Sequence, residues 1–392
     1  MITARLALAL NPPLRAPLCH DRCCWAAALL ALVSIAAMTA PAEAQIFPAP
    51  GDETEVPVFD PVAAPDAGIE ATTSETSRSV TTRISTTISD RISQALRVER
   101  SRDGEEDEAR GFGRRGLARD GEDGFLGDAA LSGWTTASLT FLENDGAGTE
   151  FDGEVMNPLV GIDATLEQSI VVGIALGYEG ADLDTTFNGG TLDSDGFIIT
   201  PYAGTRVGDF VVVDGGFGYA RVSYDRARFD GAGTVTGDFD GDRFFVFANV
   251  AGYVPPEILD VEGLQVIGRL GFRYSHEDQS SFVENGQRIE GDSIELGQVS
   301  FGAEAKYFPD SPFDGDLELF VKAIGTVDAI RSDRAPVAGF PDPSDDRTDV
   351  RLGLGAVADV TDRLSVDIAY EHVFSREDIS EQSIIAGLRY RF

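Results

Sequence analysis

The chain has 392 residues with 66 acidic against 31 basic side chains, a formal net charge of -35. An apolar fraction of 43 % is enough for a core and excludes wholesale disorder, while the acidity argues against nucleic acid or anionic headgroups as electrostatic partners. The charge is uneven: residues 131–392 hold -28 of it, and the only cysteines, Cys19, Cys23 and Cys24, lie near the start.

Taken from the N-terminus, Arg5, Arg15 and Arg22 precede an apolar run over 25–37. Small residues follow, and Ala42-Glu43-Ala44 has the A-x-A form of a signal-peptidase site, with Gln45 as the new first residue. The run is too short to span a bilayer as a helix. Residues 1–44 are therefore expected to be a cleaved signal peptide, and the protein to be exported.

Residues 45–77 are rich in Pro, Ala, Asp, Glu, Thr and Ser without periodicity, which predicts a disordered neck or short passenger. Val80, Ile84, Ile88, Ile92 and Leu96 then recur every fourth residue, the stripe of an amphipathic helix over 78–100. Arg78, Arg83, Arg91, Arg97 and Arg100 surround that stripe. Two readings stay open: a solvated helix, or a helix held inside an acidic cavity. Residues 101–130 mix charges with Gly and read as linker.

From 131 to the end the period becomes 2. Ile170, Val172, Ile174, Leu176 and Tyr178 form one apolar face, and Val350, Leu352, Leu354, Ala356 and Ala358 another. Alternation predicts about twelve strands. Short turns at Glu167-Gln168, Val207-Gly208 and Thr361-Asp362, with longer ones at 255–262 and 309–315, alternate with long Asp- and Gly-rich loops at 144–154, 181–195, 227–242, 276–294 and 329–347. Long connections at one end only, with apolar-out and polar-in alternation, describe a transmembrane antiparallel β-barrel. Candidate pore-lining residues are Arg269, Arg273, Arg351, Asp367, Glu371, Arg389 and Arg391. In the last strand Ile384, Ala386, Leu388, Tyr390 and Phe392 share one face, with an aromatic residue at the end of the chain. That pattern resembles the C-terminal signal by which outer-membrane barrels are recognised for assembly.

The chain over 131–392 resembles the β-barrel translocator domain of autotransporters, most characteristically at 193–229, where Tyr202-Ala203-Gly204 leads through a tight Val207-Gly208-Asp209 turn into a Gly-punctuated strand. The resemblance implies an outer-membrane location, assembly with periplasmic chaperones and the barrel-assembly machinery, and contact with membrane lipid and lipopolysaccharide. It also implies a helix threaded through the pore, for which Val80–Leu96 is the matching stripe. The chain departs from the family in having fewer than ninety residues between Gln45 and the barrel, and in lacking any Asn over 45–130 at which the pore helix could cut itself. The resulting expectation is a monomeric barrel that anchors and translocates or displays a very short segment. The alternative is a passive porin-like channel.

No cofactor and no catalysis are expected. His276 and His372 form no nucleophile–base–orienter set, and Gly291-Asp292-Ser293-Ile294 lacks the downstream partners of a GDSL-type hydrolase. Asp238, Asp240 and Asp242 are weak Ca²⁺ candidates, because Arg243 and Asn249 stand where an EF-hand needs Gly and Glu.

Overall fold

A computed structural model describes residues 65–96 and 129–392, except 168, 260, 310–315 and 333–345. The signal-cleavage residues Ala42, Ala44 and Gln45, and most of the 101–130 linker, lie outside the described residues. The helix α1 runs Pro65–Ala95. Strands follow as β1 Ala130–Asn144, β2 Phe151–Leu166, β3 Ile170–Thr185, β4 Gly190–Val207, β5 Val211–Phe229, β6 Thr234–Tyr253 and β7 Leu264–Gln279. After a small hairpin, β8 Phe282–Glu284 with β9 Gln287–Ile289, come β10 Ser293–Tyr307, β11 Leu317–Arg331, β12 Thr348–Asp359, β13 Leu364–Phe374 and β14 Ile379–Arg391.

Twelve of these strands form one closed antiparallel barrel in chain order. Closure is made by β1 on β14, in unbroken register from Ser132 opposite Arg391 to Asn144 opposite Ile379. A closed barrel leaves no strand edge, so every backbone group in the wall can be paired without water. Among the described residues no helix is long and apolar enough to cross a membrane.

The alternation sets the faces. Outward residues such as Phe197, 73 % exposed, and Val160, 55 % exposed, form an apolar band, whereas their neighbours Ile198 and Leu159 point inward and are buried. An aromatic row of Tyr178, Phe197, Tyr219, Phe244 and Tyr274 follows the outward face across β3 to β7, joined by the contacts Tyr178–Phe197 and Tyr219–Phe244. Above that row the same face carries Asp182 and Asp184, Asp193 and Asp195, Asp225, and Asp238, Asp240 and Asp242.

Two expectations need correction. The helix begins at Pro65 rather than at 78 and is described to Ala95, so residues 65–77 are not a disordered neck, while residues 45–64 of the expected neck and 97–100 of the expected helix lie outside the described residues. Pro65 suits a first helical position, where its missing N–H is not needed. The stripe of large apolar residues begins only at Val80, and earlier turns bury Ala71, Thr72 and Thr73 instead. The long loops are also shorter than expected: β3 continues to Thr185, β5 to Phe229 and β6 starts at Thr234. Their upper halves keep period 2 with the polarity reversed, Leu183, Leu192, Val222, Tyr224 and Phe239 buried inside and the aspartates outside. The β5–β6 tip is then only four residues, where Asp230 accepts N–H groups of Ala232 and Gly233 and its carboxyl is held below the usual range by them.

Candidate functional site: the barrel interior and its helix

Helix α1 lies inside the barrel. Ile88 and Ile92 have no exposed surface, and most Ser and Thr on the remaining faces are buried as well, with Ser74, Thr86 and Thr87 half-buried. Such residues are poor helix formers in water. They are also short, which suits a narrow bore, and their hydroxyls turn back onto the helix: Thr73 donates to the Ile69 carbonyl at 2.8 Å, Thr76 to Thr72 at 2.9 Å and Thr86 to Thr82 at 2.9 Å. A hydroxyl so bonded has its hydrogen satisfied within the helix.

The interior is two-sided. Val80, Ile84, Ile88, Ile92 and Leu96 join one apolar cluster with inward residues of β1 to β7, among them Leu142, Leu159, Leu183, Leu192 and Val212. Ile92 sits directly on Gly204 of β4, where a Cβ would meet its Cγ2 at 2.4 Å. Polar-in alternation was therefore only half right, because the inner face of this wall is largely apolar. Two aromatic rings complete it by lying over glycines of neighbouring strands, Trp134 over Gly161 and Tyr202 over Gly173, and Trp134 Nε1 donates to the Tyr202 hydroxyl at 2.9 Å.

The opposite wall, β7 and β10 to β13, is charged and meets the polar side of the helix. Arg78 donates to Asp328 at 2.5 Å and to Asp349 at 2.6 Å, and Arg83 to Glu371 at 2.7 Å. Arg91 reaches Asp367 at 3.1 Å and stands over the Trp134 ring. Asp90 receives Arg269 at 3.0 Å and Lys322 at 3.4 Å. At the long-loop rim Arg376, in the β13–β14 turn, grips Glu75 at 2.6 Å. At the short-turn rim Arg206 donates to the Leu96 carbonyl at 2.9 Å, which satisfies a helix C-terminus. Buried pairs of this kind contribute little net stability when intact, but removing one partner is costly because the other charge stays buried.

All seven candidate pore residues point inward. Arg269 and Asp367 touch the helix as above; Arg273 donates to Ser85 at 2.8 Å and to Gln298 at 3.0 Å. Arg351 bridges Glu381 at 2.8 Å and Glu371 at 3.4 Å. Arg389 and Arg391 lie lower, Arg389 toward Ser132 and Arg391 toward Asp359 and Ser365. Sequence reasoning missed Asp328, Asp349, Lys322 and Asp214, the last accepting the Ser89 hydroxyl at 2.8 Å. Each sits at an inward position of an alternating strand, which is the signal that would have found it.

The remaining candidates are not brought together. Asp238, Asp240 and Asp242 stand on the outward face of β6 rather than in a loop: Asp240 accepts Arg221 at 2.9 Å and Ser223 at 3.0 Å, and Asp242 accepts the Tyr219 hydroxyl. Among the described residues no group of His, Cys, Asp and Glu is arranged to hold a metal ion. His276 and His372 lie on the outward faces of different strands, and Ser293 opens β10. Ile384, Ala386, Leu388 and Tyr390 face outward, and the Tyr390 and Phe392 rings meet edge to face.

A mouth element was not foreseen. The hairpin β8–β9 folds inward: Phe282 stacks on Phe239, which stacks on Tyr224, and Glu284 pairs with Arg226 and Arg228.

The profile of the autotransporter beta-domain matches residues 133–371, most of the barrel and more than half of the chain. The chain belongs to the autotransporter beta-domain family. No curated protein matches it. Among solved structures, the translocator domain of autotransporter NalP from Neisseria meningitidis is similar at 20 % identity and a TM-score of 0.56, over 70 % of this chain and 91 % of that one. The β-domain of the Bordetella autotransporter BrkA is similar at 18 % identity and a TM-score of 0.56, over 67 % of this chain and all of that one. At these identities the likeness shows the fold. An autotransporter-type barrel is thus established, and the family supports an outer-membrane location.

Proposed function

We propose that this autotransporter barrel is an outer-membrane anchor closed around its own helix, with the segment before Pro65 carried to the external face. The observation that carries the reading is the helix's burial and direction. Its N-terminal end meets the long-loop rim through Glu75 and Arg376, and its C-terminal end the short-turn rim through Leu96 and Arg206. Long connections face outside and short turns face the periplasm in barrels of this kind. The helix is about 46 Å long at 1.5 Å per residue, enough to cross an apolar band of about 25 Å and reach past it.

The interior disfavours the porin-like alternative. A water-filled channel needs a polar lining, and here the half-wall around Leu159, Leu183 and Val212 is apolar and already covered by Ile84, Ile88 and Ile92. The work of the molecule is then anchoring and display, not catalysis, performed by a monomer. Lipid and lipopolysaccharide contact the apolar band and the aromatic row, and the C-terminal face ending in Phe392 is read by chaperones and the assembly machinery.

Planar-bilayer conductance tests the plug. The intact chain should conduct in rare, small steps, and a variant lacking residues 45–110 should conduct several-fold more. Equal conductance of the two would remove the plug reading.

A further inference from the structure

The helix and its barrel meet through two kinds of contact with different periodicity, and the difference has a consequence for where the helix stops. The apolar stripe repeats every four residues, at 80, 84, 88, 92 and 96. Sliding the helix by one turn therefore puts one aliphatic side chain in the place of another: Ile88 or Leu96 takes the place of Ile92 above Gly204. The hydroxyls repeat in the same way. Ser89, which donates to Asp214, would be replaced by Ser85 or Ser93. Neither set of contacts distinguishes one register from the next turn, about 6 Å away.

The charges do distinguish them. Ion-paired helix positions are 75, 78, 83, 90 and 91, which share no period. Sliding one way would bring Ser79, Thr82, Thr87, Gln94 and Ala95 to those places; sliding the other way would bring Ala71, Ser74, Ser79, Thr86 and Thr87. Every incoming residue is uncharged. A one-turn slip in either direction thus leaves Arg376, Asp328, Asp349, Glu371 and Asp367 without their helix partners, while the apolar packing changes only at one end of the stripe, where Thr76 would replace Val80 or Arg100 would replace Leu96. Buried charges deprived of a partner are strongly unfavourable.

We infer that the aperiodic charges are a register lock: the barrel recognises its own helix by the charge sequence −, +, +, −, + read from the external rim, and this sequence fixes how far the chain is drawn outward before it halts. The apolar stripe supplies a track along which the helix can move in steps of one turn; the ion pairs select one step. The display consequence rests on the function proposed above, but the register does not and can be measured on purified protein.

The measurement uses the full chain with C19S/C23S/C24S and D214C, carrying in turn S85C, S89C or S93C, and a short thiol-to-thiol cross-linker. Heat-modifiable mobility establishes that each variant is folded. With the five charges intact, S89C should cross-link to D214C and exceed the other two by about tenfold or more. In E75Q/R78Q/R83Q/D90N/R91Q the three registers lose their difference, and S85C or S93C should rise to within about threefold of S89C. Should that variant not assemble, R78Q/R83Q is read in the same way, and E75R/R376E, which preserves the pair with its sign exchanged, should keep S89C dominant. Cross-linking confined to S89C after neutralisation, in either variant, would overturn the inference and assign the register to packing. Display of the N-terminal segment is followed separately by surface proteolysis, so loss of display with an intact register would count against the proposed function alone.

Discussion

At the residue scale, single side chains decide whether the helix can sit where it does. Gly204 is a position with no room: a Cβ there would meet Ile92 Cγ2 at 2.4 Å. Gly204→Val should therefore destabilise helix docking by about 1–3 kcal/mol, the usual cost of overpacking. Adding Ile92→Ala should restore part of it, and a double-mutant cycle in detergent, followed by denaturant unfolding, measures the coupling. Arg78→Ala removes the shared partner of Asp328 and Asp349, both buried. A loss of about 3–5 kcal/mol is expected, because two carboxylates stay inside with fewer donors. A loss below about 1 kcal/mol would mean that water reaches the pair.

At the scale of elements, the strands that were read correctly are those whose outward face is uniformly apolar, such as β3 from Ile170 to Tyr178. The same rule failed above the aromatic row, because β3, β5 and β6 exchange their polarity there without changing register. Leu183 and Tyr224 point inward while Asp182, Asp184 and Asp225 face water, so a search for apolar-out alternation stops too early. The start of helix α1 was placed too late for a related reason: its first turns bury Ala and Thr in place of Ile, and residues that small leave no stripe in the sequence. The hairpin β8–β9 was invisible because its strands are only three residues each and its partners, Arg226 of β5 and Phe239 of β6, come from strands far away in sequence. Glu284→Ala should undock it, and cleavage of the folded barrel by trypsin at the exposed Arg288 should then accelerate about tenfold or more. In β14 Leu388 and Tyr390 lie on the exposed outward face, so, on the proposed outer-membrane reading, Leu388→Asp with Tyr390→Asp, or deletion of Phe392, should abolish the heat-modifiable barrel and leave degraded periplasmic protein.

For the whole molecule, the net charge of -35 no longer describes a soluble acidic protein. Among the described barrel residues, one group of acids forms an outward belt above the aromatic row and another an inner wall that neutralises the arginines of the helix, and the outward apolar band carries almost none. The interior likewise divides into an apolar half that covers the isoleucine stripe and a charged half that meets Arg78, Arg83 and Arg91. Both halves belong to one arrangement of helix and barrel, and the apolar half would not suit a water-filled pore. The sequence stripe at 80–96 was legible as a helix, but its location depended on residues scattered from Arg206 to Arg376, which no local pattern joins.

The central claim is that the helix crosses the closed barrel with its N-terminal end outside. Proteolysis of intact cells tests it most directly, because the segments on the two sides carry different cleavage sites: Glu53 and Glu55 lie before the helix, and Arg97, Arg100 and Arg102 after it. A glutamate-specific protease added outside should cut at Glu53 and Glu55 and leave 69–96 intact, while trypsin should not reach Arg97–Arg102 until the outer membrane is opened. External cutting at Arg97–Arg102 with Glu53 and Glu55 protected would contradict the account.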